Sequence, residues 1–204
     1  MSGDFESRHR GNKLVSYRST AYKEQEMTSL REELLSLGII TVDEGRPFIP
    51  ERSLKQALTK PVIEKIVSDP QLTQLILEGG RRLLGILILI RREDAILRFL
   101  ERDHGQLQDL DSRLPLKLSD LRIIFGDGSD ADSAAPFFEM QWRFLAPVLR
   151  NDRSHRILED LTILPFTERE DWATPSGFGD ISKIIISPFH QRLVDLDLDG
   201  NVSL

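Results

Sequence analysis

A chain of 204 residues with 40% hydrophobic side chains, a net charge of −6 and no cysteine suits one domain, or one domain plus part of another. The acidic balance argues against general nucleic-acid binding, and the lack of cysteine excludes disulfides, thiol nucleophiles and cysteine-ligated metals. The N-terminal residues lack the apolar core of a secretory signal, and no apolar run reaches the roughly 18–20 residues of a bilayer span, so a soluble intracellular protein of cytoplasm or nucleus is expected.

Residues 1–19 are polar, mixed in charge and aperiodic, and read as a disordered tail. Thr20 can cap a helix that runs to Leu37, with Met27, Leu30, Leu34 and Leu37 at helical spacing and Gly38 as its stop. Ile39 to Val42 suits a short extended piece. Asp43 to Pro50 contains Gly45 and Pro47 and reads as a loop. Ser53 to Thr59 is short and helical in pattern. Pro61 fits the first turn of a helix that buries Val62, Ile63, Ile66 and Val67. Asp69-Pro70 ends that helix and caps the next, Gln71 to Glu78, with Leu72, Leu75, Ile76 and Leu77 turned inward.

Leu75 to Arg102 is the most apolar stretch. Its centre, Leu83 to Ile90, is apolar on every side except at Gly85, so other elements must cover it all round. Gly79-Gly80 interrupts or kinks the path before Arg81. Ile86 to Ile90 fits a buried strand by composition alone. Length decides for helix, because Arg91 to Glu101 keeps helical spacing at Ala95, Leu97 and Leu100 with no turn residue between. The expectation is a central helical post, covered by helices over 20–37 and 61–78 and by the aromatic block 137–149.

Asp103 to Lys117 is polar, with Gly105 and Pro115. Ser119-Asp120 can cap a short helix, Leu121 to Phe125, and Gly126 to Ala135 reads as an exposed loop or linker. Phe137, Phe138, Trp142 and Phe144 supply large apolar areas for the core, or for a seam between the helical part and the C-terminal segment. Ser182 to Ser187 is the best strand candidate.

Taken in order, Phe138-Glu139-x-Gln141-Trp142-x-Phe144-Leu145-Ala146-Pro147-Val148, then His155, Ile163-Leu164-Pro165-Phe166 and Gly177-Phe178-Gly179-Asp180-Ile181-Ser182-Lys183-Ile184 resemble the front of a fungal protein-kinase-like family. The elements in chain order make a mainly α fold, a helical bundle over 20–150, and the resemblance makes 151–204 the truncated start of a kinase N-lobe, present as a short β-hairpin. It makes Gly177, Phe178 and Gly179 a degenerate glycine-rich turn over ATP phosphates, with Thr174 and Ser176 where the family has its two earlier glycines. An ordinary hairpin turn is the other reading of the same residues.

The family's ATP lysine, catalytic-loop Asp and Asn, and metal-binding Asp have no counterparts among these residues, since Lys183 falls in the second-strand position. The expectation is therefore a non-catalytic interaction or regulatory region, with no catalytic residue, no metal and no cofactor. ATP and magnesium belong only to a full kinase domain. The expected partner is a protein, not nucleic acid or a membrane. The alternative is a fragment of an active Ser/Thr kinase whose catalytic lobe is missing.

Other constellations are weaker. Asp195, Asp197, Asp199 and Gly200 match the opening of an EF-hand loop, but an acidic hairpin turn explains them more simply. His9, His104, His155 and His190 lie far apart with no metal-binding spacing. A hairpin without the rest of its sheet is marginal, so residues 167–204 should be poorly ordered or lean on the helical part.

Overall fold

The computed structural model describes residues 24–101, 109–128, 130–151, 156–172 and 181–193. The fold is mainly helical, with a few short strands. A first helix, α1, covers 24–36. It is followed by β1 (Ile39–Ile40), β2 (Pro47–Phe48), α2 (Glu51–Ala57), α3 (Lys60–Ile66), α4 (Pro70–Gly79) and α5 (Arg81–Leu89). Then come α6 (Ile96–Glu101), α7 (Leu118–Phe125), α8 (Ala134–Met140), β3 (Leu149–Arg150), β4 (Phe166–Trp172), β5 (Ile181–Ile186) and β6 (Gln191–Arg192). Short 3-10 turns link several of these elements. The sheets are three separate pairs: β1–β2 and β4–β5 antiparallel, and β3–β6 parallel. Among the described residues no helix is long and apolar enough to cross a membrane.

The post is α5. Leu83 to Ile88 are all buried, and α5 touches α2, α4, α6 and α8. Met27, Leu30 and Leu34 of α1 join the same core, as do Phe99, Phe125 and Phe137. Phe99 stacks on Phe137 at 5.4 Å and meets Phe125 edge-on at 5.9 Å. Gly85 sits where the Phe144 ring and Leu54 press on the helix.

The single helix expected through Arg91 does not form. It stops at Leu89, with Ile90 as its cap and Arg91 left-handed at φ 61°. The Arg92 N–H donates to the Leu87 carbonyl at 2.8 Å and the Arg91 N–H to the Ile88 carbonyl at 3.1 Å, the double closure of a Schellman ending. Glycine usually holds that left-handed position, and an arginine there gives no sequence signal. Arg31 of α1 completes the ending: its Nε donates to the Ile88 carbonyl at 2.8 Å, and its Nη2 holds Glu93 at 3.0 Å.

Other boundaries shift for local reasons. The expected loop Asp43 to Pro50 contains β2, which pairs Phe48 with Ile39. The helix expected from Leu121 begins at Leu118, and Lys117 at its cap makes no side-chain bond, so Ser119-Asp120 is inside it. Gly126 to Ala135 is not an open linker. Asp130 and Ser133 are buried, Asp130 pairs with Arg98 and Arg92, and Ser133 accepts from Arg92. Asp69 caps α4 as expected, its carboxylate accepting from the N–H groups of Gln71 and Leu72.

Candidate functional site

The hairpin β4–β5 stands out from the helical mass. Its register pairs Glu168 with Ile185, Arg169 with Ile184, Glu170 with Lys183 and Asp171 with Ser182, after an irregularity between Phe166 and Glu168. Cross-strand partners share a face. One face therefore carries Glu168, Glu170, Lys183 and Ile185, and the other Arg169, Asp171, Ser182 and Ile184. Ile181 and Ile185 on the first face and Ile184 on the second are 54%, 42% and 38% exposed. Polar pairs tie the strands: Lys183 Nζ lies 3.5 Å from Glu170, and Asp171 accepts from Ser182 Oγ at 2.7 Å; along β4 Asp171 also accepts from Arg169 Nε at 2.7 Å. The Ser182 hydroxyl, then the Arg169 guanidinium, hold the Asp171 carboxyl below its ordinary range.

The helical part supports the hairpin at its base. The Val42 N–H donates to the Phe166 carbonyl at 3.0 Å, Arg169 reaches Asp43 at 3.2 Å, and Arg46 donates to the Leu161 carbonyl at 3.2 Å. Beyond β5, a 3-10 turn (Pro188–His190) docks on β2, with the His190 ring edge-on to Phe48 at 4.8 Å. Phe48, Trp142 and Ile163 form a small second core at this seam. Of the aromatic block, Trp142 serves the seam while Phe137 and Phe144 serve the main core.

The seam has an unusual property. Trp142 Nε1, Ser187 Oγ and His190 Nδ1 are the buried side-chain polar atoms without a hydrogen-bond partner among the described residues. Burial, and then the Arg82 charge, push the His190 imidazole below its ordinary value of 6.5, with Glu51 opposing. The sign is set by linkage. Below pH 6.5 the unfolded chain takes a proton that the docked ring refuses, so seam stability falls as pH drops from that value. The loss levels off below the folded pKa. Amide exchange at Ser187 and His190 should accelerate between pH 7.5 and about 5.5 in the native chain, beyond the intrinsic pH effect, and not in His190→Gln. Equal profiles for the two chains would remove His190 from the seam's energetics.

Gly177, Phe178 and Gly179 lie on the connection between β4 and β5, outside the described residues. His9, His104, His155 and the acidic run Asp195 to Gly200 are likewise outside the described residues. Lys183 is on β5 and spent on Glu170. Among the described residues no group of three or more His, Asp or Glu is placed to hold a metal ion.

Two positioning residues were not singled out by sequence reasoning. The Asp111 carboxylate accepts from the N–H groups of Arg82 at 3.0 Å and Leu83 at 2.9 Å, at the first turn of α5. Burial still raises its carboxyl above the ordinary range. Gln141 is fully buried; its Oε1 accepts from the Leu116 N–H at 2.8 Å and its Nε2 donates to the Leu116 and Phe138 carbonyls at 3.0 and 3.2 Å. In the sequence Gln141 stands only as a member of the Phe138 to Val148 block that carries the family resemblance, without a role of its own. Compared with protein-family models, curated proteins and solved structures, the chain matches none.

Proposed function

We propose that this chain is a non-catalytic helical interaction region of a fungal protein-kinase-like protein, and that its hairpin is the place where a kinase-like sheet begins. The hairpin carries the reading. Among the described residues β4 is the sole strand neighbour of β5, so the other edge of β5 has no strand beside it. Such an edge is a template for further strands or for a protein partner. A two-stranded hairpin of this kind is marginal by itself, which agrees with the props from Val42, Asp43 and the Phe48 seam.

The experiment is a thermal melt of the purified chain with millimolar ATP and magnesium. A ligand that binds the folded state raises the melting temperature by mass action. No shift is expected. A clear shift would show a formed nucleotide site and sink the non-catalytic reading.

The same unpaired edge favours one second reading, a fragment of an active Ser/Thr kinase. Sequencing the transcript past codon 204 separates the two. A stop leaves an interaction region; a lysine-bearing strand followed by a catalytic loop makes the parent a kinase.

A further inference from the structure

Two hollows on the helical part share a wall and form one trough. The first, about 210 Å³, lies between α1 and α3 over Leu30 and Val62. The second, about 610 Å³, continues past the end of α3 to Leu72, Ile96 and Leu97. They meet at Met27 and Ile66, which line both. The floor is apolar, and Leu97 stands 53% exposed at one wall.

The rim is acidic. Glu26, Glu33, Asp69, Glu93 and Asp94 line the trough against Lys65 and Arg91. Lys65 is taken up by Glu26 at 3.1 Å, and Glu93 by Arg31 at 3.0 Å. Asp69 is turned to the α4 N-terminus, where it caps two N–H groups. Glu33 and Asp94 then face the opening with Arg91 as the remaining base of the lining.

We propose that this trough docks a basic amphipathic helix of a partner protein. An apolar floor between helical walls accepts the hydrophobic stripe of a helix, anchored at i, i+3, i+4 and i+7. Rim carboxylates add little affinity each, but they select the charge of the partner and speed encounter. The excess of acids over bases on the rim favours lysine or arginine flanking that stripe. The site is distinct from the hairpin edge, and the two fail separately: loss of binding here leaves the nucleotide melt untouched.

The test uses the full chain and a leucine–lysine amphipathic peptide, followed by fluorescence anisotropy. Its leucine–glutamate counterpart is the control. Saturable binding of the lysine peptide alone is expected. Leu97→Asp and the pair Glu33→Lys with Asp94→Lys should each weaken it roughly tenfold or more. All three positions are on the surface, and an unchanged melting temperature in each variant confirms the fold. No binding, equal binding of the two peptides, or binding indifferent to these substitutions would overturn the proposal. A concentration-dependent dimer abolished by Leu97→Asp would make a second copy of this chain the occupant, and the proposal would fall.

Discussion

Ile88→Asn is expected to abolish the cooperative thermal transition of the helical module. Ile88 is fully buried on α5, and α5 is packed by helices on every side. The substitution leaves an amide with no partner in an apolar site, at about 1–3 kcal/mol. Losing the aliphatic burial adds roughly 1.5–3 kcal/mol. Domains of this kind have about 5–15 kcal/mol in total, so the two losses together reach a large share of the stability. Neighbouring backbone offers no rescue, because the Ile88 carbonyl already accepts from the Arg91 N–H and from Arg31 Nε. Ile88→Val, which removes one methylene, should cost only about 0.5–1.5 kcal/mol and keep the transition. Circular dichroism melts of the two variants check this. A transition for Ile88→Asn within a few degrees of the native chain would mean that α5 is not the post of the core.

The parts of this fold that were legible are those written in short-range chemistry. Asp69 before Pro70 marks a cap, Pro61 fits a first turn, and the Ile184 to Ile186 run makes a strand wherever a partner strand lies nearby. The apolar girth of Leu83 to Ile88 likewise demands cover whatever supplies it. The parts that were not legible depend on residues far apart in sequence. Arg91 ends α5 in a conformation glycine normally takes, and the ending is sustained by Arg31, far earlier in the chain. Asp130 looks like linker composition until Arg92 and Arg98 are beside it. Asp111 reads as one more loop acid, yet it closes the first turn of the central helix.

The candidate site divides in the same way. Its strands follow from β-branched composition, and the role of Trp142 at a seam was one of two uses open to an aromatic block. That His190 docks on Phe48 follows from no spacing, since the two are brought together only by the packing of β2. The open edge of β5 is the informative departure: local propensity made a strand there, and among the described residues only β4 pairs with it. Disagreement between a local preference and its surroundings is where an interaction is expected.

Gly85→Val should destabilise the module strongly, against the trend of helix propensity. A glycine within a helix costs about 1 kcal/mol relative to alanine, so replacing it would ordinarily help. Here a Cβ would stand 2.8 Å from Cε1 of Phe144 and 3.3 Å from Cδ1 of Leu54. Phe144 is itself buried in the 3-10 turn Gln141–Phe144, and the adjoining Gln141 is pinned by three hydrogen bonds, so the ring has little room to retreat. Overpacking of this kind costs about 1–3 kcal/mol, and the two methyls of valine place it toward the upper end. Gly85→Ala makes the same Cβ contact without the two methyls, and its propensity gain of about 1 kcal/mol offsets part of the clash, so it is the milder loss. The decisive experiment is a double-mutant cycle with Phe144→Leu, which removes the offending ring edge. If the clash is the cause, the double variant is more stable than the sum of the single losses, with a coupling of roughly 1 kcal/mol or more. Strict additivity, or a Gly85→Val chain as stable as the native one, would mean that glycine is not required by the approach of Phe144 to α5.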